Sequence, residues 1–309
     1  MTRSESLTRY EPRMATAEAP FPHRHELGEM PYWDARRRLL CYVDIDGGTI
    51  NELNIATGDR GAIGVTAPLG FAMPVAGSDV RLCGQGNDLI AVDGSGHELG
   101  RMPIEPGLDG NRMNEGKADP GGRLWFGSMS KTRQPEQAAL YRLDATGLSR
   151  IRTITTGNGT DWDVERGRMY HVDSPTQRID VFDYDVTTGD VENVRPWATI
   201  DADDGLPDGL TIDSEGCVWL ALFQGGAVRR FDPDGAVMFD VALPTPYVTC
   251  PVFGDDDLST LFVTSSQHKI APEDRAGHPL AGALFTIDTD TTGRPANLIA
   301  PDVADKVIG

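Results

Sequence analysis

The sequence is poor in positive charge, and in lysine above all. Its 309 residues include 28 Lys and Arg against 47 Asp and Glu, which gives a formal net charge of -19, and only 4 of the basic residues are Lys. A chain this acidic is repelled by nucleic-acid phosphates and by anionic lipid. We therefore expect neither a nucleic-acid partner nor a membrane partner.

Long apolar segments are also missing from the sequence. Residues 1–13 are polar and charged and have no apolar stretch of the kind found in secretory signals. No run of residues approaches the length of a membrane-spanning helix. The expectation is a soluble protein of the cytoplasm.

Cysteine and histidine do not form the patterns of a zinc site or a nucleophilic triad. The four cysteines are far apart, so buried free thiols are expected rather than disulfides. The six histidines show no metal-ligand spacing, and no Ser-His-Asp or Cys-His pairing is visible, which disfavours a covalent mechanism. The acidic stretches at residues 44–48 and 201–205 lack the terminal Glu of an EF-hand and are interpreted as solvated turns.

What the sequence does contain is a repeated unit, while long amphipathic helical patterns are scarce. The unit is a short strand, a tight turn often of the Asp-x-x-Gly kind, and a second strand with an aromatic residue near its start. These aromatic anchors are separated by 83, 45, 49 and 43 residues and are Tyr42, Trp125, Tyr170, Trp219 and Phe262. Because the first interval spans two units, a degenerate copy is expected near residue 83.

Six units of about 45 residues, with up to four strands each, predict an all-β fold. The architecture that fits is a six-bladed β-propeller with four-stranded antiparallel blades, in which radial repetition leaves only short, protected edges. We interpret residues 1–309 as a single domain. The N-terminal segment, residues 1–26, is predicted to close the last blade, with its strand near residues 10–16.

Polar residues recur at one position of the unit. Glu29, Asn114, Asn158 and Asp208 lie 13, 11, 12 and 11 residues before their aromatic anchors. The innermost strands of a propeller line its central channel, so residues at the strand starts are expected to gather at one mouth. Carboxylate and amide oxygens together suit Ca²⁺, Mg²⁺ or Mn²⁺ and also accept Zn²⁺ or Fe²⁺. Turn chemistry explains any one of these residues alone, so the prediction depends on their shared register.

Several stretches at these positions resemble one known family. They are Leu-Gly-Glu-Met-Pro-Tyr-Trp-Asp at 27–34, Asn-Arg-Met-Asn-Glu-Gly-Lys at 111–117, Gly-Asn-Gly at 157–159, Tyr-His-Val-Asp-Ser at 170–174 and Leu-Pro-Asp-Gly-Leu at 206–210. The chain is similar here to the family of senescence marker protein (regucalcin), gluconolactonase and luciferin-regenerating enzyme.

This resemblance implies a propeller with one divalent metal ion in the central channel and a small-molecule substrate, a sugar lactone that is hydrolysed. The implied metal ligands are Glu29, Asn158 and Asp208, and the implied substrate contacts are Arg112, Asn114 and Glu115. The chain departs from the family pattern at Met30, where Gly is usual, at Glu115, where Asp is common, and at residues 130–132, where some members are acidic. Substrate identity is therefore left open.

The expected mechanism is attack of water on a metal-polarised lactone carbonyl, with Asp208 as general base. Two alternatives stay open: a promiscuous metal-dependent esterase or organophosphate hydrolase using the same site, and a propeller that serves as a non-catalytic binding scaffold. We expect a monomer or a small homo-oligomer. The loops at residues 129–138 and 267–282 are expected to set specificity.

Overall fold

The computed structural model describes residues 16–309, which form six antiparallel sheets of four strands each. Blade 1 consists of β2 (Gly28–Asp34), β3 (Leu39–Asp44), β4 (Thr49–Leu53) and β5 (Arg60–Gly64). Blade 2 consists of β6 (Leu69–Pro74), β7 (Arg81–Gln85), β8 (Asp88–Val92) and β9 (Glu98–Pro103). Blade 3 consists of β10 (Asn111–Ala118), β11 (Leu124–Ser130), β12 (Ala138–Asp144) and β13 (Gly147–Ile154).

The second half of the chain repeats this arrangement. Blade 4 consists of β14 (Gly157–Asp163), β15 (Arg168–Asp173), β16 (Arg178–Tyr184) and β17 (Val191–Thr199). Blade 5 consists of β18 (Leu206–Ile212), β19 (Val218–Phe223), β20 (Ala227–Phe231) and β21 (Val237–Ala242). Blade 6 consists of β22 (Val248–Gly254), β23 (Thr260–Ser265), β24 (Phe285–Asp288) and β1 (Ala17–Glu18).

The six sheets close into a ring through their first strands. The strands β2, β6, β10, β14, β18 and β22 each contact the first strand of the next blade, and β22 contacts β2 in turn. This ring confirms the six-bladed propeller with four-stranded antiparallel blades. The degenerate copy expected near residue 83 is blade 2, in which Cys83 lies within β7.

Blade 6 takes its outermost strand from the opposite end of the chain. In β1, Ala17 pairs with Ile287 and Glu18 with Thr286 of β24, in antiparallel register. The strand proposed near residues 10–16 lies, except for its last residue, outside the described residues. The observed pairing therefore involves the two residues that directly follow it.

The aromatic anchors lie in the second strands of their blades, and all of them are buried. They fill the space between neighbouring sheets. The ring centroids of Trp125 in blade 3 and Trp162 in blade 4 are 6.3 Å apart, and those of Trp219 in blade 5 and Phe253 in blade 6 are 5.9 Å apart. Edge-to-face contacts of this kind add to the burial of apolar area, which explains why the repeat preserves an aromatic residue.

A buried aspartate locks the turn between the first two strands of blades 3 and 5. Asp213 accepts hydrogen bonds from two backbone N–H groups of its own turn at 3.0 and 2.9 Å, and from the indole Nε1 of Trp219 at 2.9 Å. The Nη2 of Arg230 donates to the same carboxylate at 2.6 Å. Asp119 accepts from the Nε1 of Trp125 at 3.1 Å in the equivalent turn. The Asp-x-x-Gly signature therefore joins the turn to the aromatic anchor.

The chain after β24 crosses the end of the ring opposite the strand starts. The backbone N–H of Ser214 in blade 5 donates to Thr292 O at 2.7 Å, and the N–H of Ile299 donates to Pro74 O of blade 2 at 2.9 Å. A helix that the repeat did not predict follows, α1 (Pro301–Ile308), whose apolar side packs against blades 2 and 3. Long-range packing stabilises this short helix.

The remaining helical elements are short and lie in loops. They are the 3₁₀ helices Ser174–Thr176, Ala202–Asp204 and Pro272–Gly277. Over residues 16–309 the structure has no helix with the length and apolar character required to cross a bilayer.

The buried aspartate of blade 5 gives a stability prediction. Replacing Asp213 by Ala removes the buried partner of Arg230, which then keeps only the exposed Glu215 as a counter-charge, and it also removes the acceptor of the Trp219 indole. Breaking a buried ion pair in this way costs about 3–5 kcal/mol, so the midpoint of urea unfolding should fall accordingly. Asp234→Ala, in an exposed turn of the same blade, is the matched control and should change stability by no more than about 0.5 kcal/mol. Equal midpoints for the two variants would contradict this role of Asp213.

Candidate active site

The first strands of the blades are irregular close to their starts. In β2 the pairing with β3 shifts between Glu29 and Tyr32, and in β14 the pairing with β15 shifts between Asn158 and Thr160. Similar shifts occur in β10 between residues 113 and 116 and in β18 between residues 207 and 210. A β-bulge re-aims the side chains beside it, and each of the four polar strand-start residues lies at such a shift.

Five of the six site residues expected from the sequence line one cavity of about 640 Å³. They are Glu29, Arg112, Asn114, Asn158 and Asp208. The four strand-start residues among them are each 7% or 8% exposed. Four blades therefore deliver oxygen-bearing side chains to the same buried mouth of the channel.

A chain of hydrogen bonds orients the amide side chains. The Nη1 of Arg112 donates to Asn114 Oδ1 at 2.6 Å, and the Nδ2 of Asn114 donates to Asn158 Oδ1 at 3.1 Å and to Gly157 O at 2.8 Å. The Nδ2 of Asn158 donates to Ser174 Oγ at 2.9 Å. Since its amide nitrogen is held by Ser174, the oxygen of Asn158 is the atom directed toward the neighbouring blade.

The two carboxyl groups at the mouth destabilise each other's charge. Burial raises the pKa of Glu29 to about 7, although the hydrogen bond from the Met30 N–H and the charge of Arg112 oppose the shift. Burial also raises the pKa of Asp208 well above its ordinary value, and the negative charges of Glu29 and Glu115 raise it further. Carboxylates buried this close together are costly unless a cation neutralises them.

Met30 lies in β2 directly after Glu29, at the shift in pairing with β3. Its backbone has φ of 46°, in the left-handed region that favours glycine. In this conformation its N–H donates to Glu29 Oε2 at 3.0 Å. Met30 therefore adopts a backbone conformation that glycine favours, and the carboxylate has a backbone donor.

Glu115 does not line the cavity, unlike the other five site residues. Its Oε1 accepts a hydrogen bond from the N–H of Thr160 in blade 4 at 3.0 Å, and its Oε2 is buried without a hydrogen-bond partner among the described residues. Burial raises the pKa of Glu115 to about 8, and the charge of Glu29 adds to the shift. Glu115 thus lies outside the cavity wall but close enough to Glu29 for the two carboxyl groups to influence each other's ionisation.

The residues at the mouth fit a hard divalent cation. The donor set of Glu29, Asn158 and Asp208 consists of two carboxylates and an amide oxygen, the kind of ligand that Ca²⁺, Mg²⁺ and Mn²⁺ prefer. The fit is supported by the raised pKa values of both carboxyl groups, because a cation placed between them would remove their repulsion.

A second group of ligand-type side chains lies in the turn between β18 and β19 of blade 5. The candidate ligand atoms of Asp213, Glu215 and Cys217 lie within 4.8 Å of one another. Arg230 already occupies the space between the carboxylates, since its Nη2 is 2.6 Å from Asp213 and 2.5 Å from Glu215. This group is therefore an ion-pair cluster that supports the turn.

The outer wall of the cavity contains side chains for which the sequence analysis predicted no individual role. Lys131, Arg133 and Lys269 are exposed residues of the wall, and all three belong to the two loops expected to set specificity. The position of Ser174 could have been recognised from the stretch at 170–174, but its contact with Asn158 depends on how the chain turns after β15. Asp46, from a stretch interpreted as a solvated turn, lines the cavity and lies 2.5 Å from His268 Nδ1.

Comparisons with known proteins identify the family of the chain. Residues 27–267 match the family model described as the SMP-30/gluconolactonase/LRE-like region. A regucalcin from Danio rerio is 33% identical over 87% of this chain and 93% of its own, and a 6-deoxy-6-sulfogluconolactonase from Pseudomonas putida is 32% identical over 89% and 95%. The solved structure of a luciferin-regenerating enzyme superposes with a TM-score of 0.86 at 27% identity, covering 93% of this chain and 99% of that one. The chain therefore belongs to the SMP-30/gluconolactonase/LRE-like family.

Proposed function

We propose that the protein hydrolyses the ring ester of a sugar lactone to the open-chain aldonic acid, using a divalent metal ion at the channel mouth. The observation that carries this proposal is the convergence of two buried carboxylates, two amides and one arginine in a single cavity. The similarity to a protein named 6-deoxy-6-sulfogluconolactonase supports the same class of reaction.

Glu29, Asn158 and Asp208 would hold the metal ion. Bound there, a divalent cation supplies Lewis-acid polarisation of the lactone carbonyl and stabilises the negative charge that develops on its oxygen. The hydrogen bond from Asn158 to Ser174 keeps the amide oxygen available as a ligand. Hydrogen bonds to metal-ligating side chains orient the ligands and adjust the affinity of the site for the metal.

Arg112 and Asn114 would bind and orient the sugar. Arg112 is held by Asn114 Oδ1 and by Met113 O through its Nη1, so its other N–H groups are available to ring or hydroxyl oxygens of a substrate. A fixed guanidinium reduces the entropy lost when the lactone is positioned, which is a large part of the advantage of an enzyme over solution.

Asp208 would accept the proton of the attacking water. An ionised carboxylate at the floor of the cavity can act as general base if the water lies within hydrogen-bonding distance of it. The proton is then available to the ring oxygen as the ester bond breaks, which completes hydrolysis without a covalent intermediate. The roles of ligand and base compete for the same carboxylate, so a variant at this position tests both together.

Replacing Asp208 by Ala should lower kcat/KM for D-glucono-1,5-lactone by about 100-fold or more, since both a metal ligand and the base are lost. Asp203→Ala, an exposed carboxylate in the loop before the same strand, is the control and should retain activity. Circular dichroism should show intact β-structure in both. An Asp208→Ala protein with unimpaired turnover would rule out the assignment.

Metal affinity should rise with pH. Since the pKa of Glu29 is raised from 4.5 to about 7, the metal-free protein carries a proton there that an incoming cation must displace. Between the ordinary pKa of 4.5 and the raised value of about 7, the metal-free folded state binds more protons than the unfolded state. The stability of the metal-free protein therefore falls as pH rises through this range. The Tm of chelator-treated protein should therefore decline from about pH 5 to about pH 8, and added metal should raise Tm more at the upper pH.

Glu29→Gln is the matched variant for this pH dependence. It keeps the size of the side chain but cannot titrate, so proton release measured by calorimetry in buffers of different ionisation enthalpy should decrease. Metal affinity independent of pH in the wild-type protein would contradict the proposed ligand set. Testing Ca²⁺, Mg²⁺, Mn²⁺, Zn²⁺ and Fe²⁺ separately identifies the ion that is bound most tightly.

A substrate panel separates lactone hydrolysis from the other activities that such a site can support. D-Glucono-1,5-lactone and other aldonolactones should be opened faster than aryl esters and phosphotriesters, and a chelator should abolish the reaction. Turnover of aryl esters or phosphotriesters alone would indicate an esterase or organophosphate hydrolase. A metal-free protein of full stability without turnover of any of these compounds would indicate a binding scaffold.

A further inference from the structure

The wall of the active-site cavity has the opposite charge balance to the rest of the chain. Its four basic residues outnumber its three acidic ones, whereas the whole chain has 28 basic against 47 acidic residues. The basic residues are Arg112, Lys131, Arg133 and Lys269, and the acidic residues are Glu29, Asp46 and Asp208. A divalent cation bound by Glu29 and Asp208 would make the cavity more positive still.

The three outer cations are not neutralised by carboxylates within the described part of the chain. Across residues 16–309, Lys131, Arg133 and Lys269 form no side-chain ion pair, although Asp and Glu are abundant in the chain. Lys131 Nζ donates only to the backbone carbonyl of Asp109, at 2.9 Å. Asp46 is the one carboxylate of the cavity wall that is not a proposed metal ligand, and it is already hydrogen-bonded to His268. These cations are therefore available to a ligand.

Their position relative to Arg112 suits one end of an extended sugar. Arg112 of β10 pairs with Met129 of β11, and the exposed Lys131 follows the last residue of β11, where its N–H donates to Gly110 O at 2.8 Å. At about 3.3 Å per strand residue, Lys131 is about 7 Å farther along the wall than Arg112, comparable to the length of a hexose. A sugar whose carbonyl lies at Glu29 and Asp208 would place its far end beside the outer cations.

We propose that the substrate is a sugar lactone with an anionic substituent, a phosphate, sulfonate or carboxylate, at the end of the molecule away from the ring carbonyl. Lys131, Arg133 and Lys269 bind this group and set specificity. The inference rests on the proposed function, because it assumes that the lactone carbonyl lies at the channel mouth. The carboxylate formed by hydrolysis does not account for these cations, since it arises at the metal end of the cavity.

The test compares neutral and anionic lactones with the metal-loaded, full-length protein. D-Glucono-1,5-lactone is compared with its 6-phosphate, with its 6-deoxy-6-sulfo analogue and with a glucaric acid lactone. The preferred anionic lactone should have kcat/KM about tenfold higher than the neutral one, through a lower KM, and salt should reduce the advantage. The three anionic arms distinguish phosphate, sulfonate and carboxylate.

Charge-removing variants assign the preference to the outer cations. In the double variant Lys131→Gln with Lys269→Gln, the ratio of kcat/KM for the anionic over the neutral lactone should fall about tenfold. Lys306→Gln, in the last turn of α1 on the far side of the ring, is the matched control and should leave the ratio unchanged. Equal kcat/KM for neutral and anionic lactones, or a preference that survives in the double variant, would overturn the inference and leave lactone hydrolysis standing.

Equilibrium binding keeps the inference testable if no lactone in the panel is turned over. Calorimetry then compares 6-phosphogluconate with gluconate as ligands of the metal-loaded protein. Tighter binding of the phosphorylated acid that is lost in the double variant would support the anion site even though the proposed reaction had failed. Equal affinities for the two acids would overturn it.

Discussion

The channel mouth depends on one constraint, the closure of six similar sheets into a ring. Because every blade places its first strand at the channel, side chains at the starts of different first strands meet although they are far apart in sequence. Glu29 and Asp208 are 179 residues apart and line the same cavity. The stability of the closed ring thus offsets the cost of burying two carboxylates in one cavity, which neither local segment favours by itself.

The two ends of the ring have different physical roles. At the far end, buried aspartates such as Asp213 are fully satisfied by turn N–H groups, an indole and a guanidinium, so their charge stabilises the structure. At the mouth, Glu29 and Asp208 line the cavity with raised pKa values, and the buried Glu115 nearby has a raised pKa as well. Perturbed carboxyl groups in a cavity are typical of functional sites, whereas satisfied ones are typical of structural sites.

The charged side chains of the cavity differ between its floor and its outer wall. The carboxylates lie at the floor, Arg112 is held beside them by Asn114, and unpaired cations occupy the outer wall. An acidic protein with so few lysines has two of its 4 Lys at this mouth. This arrangement separates the chemistry proposed for the floor from the recognition proposed for the rim, so substitutions at the rim can change substrate choice while the metal ligands are retained.

The sequence by itself determined the repeat. The repeat in turn determined the fold and the gathering of the first residues of the inner strands at one mouth of the channel. The spacing of aromatic anchors predicted six blades, including the degenerate copy at Cys83, and the position of polar residues before each anchor predicted which side chains converge. These features are local and periodic, since a strand, a turn and an anchor interact within one unit. Repeated local pattern is the information that a single sequence carries best.

Only the tertiary structure decided the remaining features. The bulge in β10 leaves Asn114 in the cavity wall and Glu115 outside it, a distinction that neighbouring positions in a sequence do not reveal. Three other features likewise depend on partners from other parts of the chain. They are the contact of Asn158 with Ser174, the free cations of the rim and the path of residues 289–300 across the far end. Such contacts follow from the geometry of the closed ring, because the distance between two loops is set by the blades that carry them and not by the residues within them.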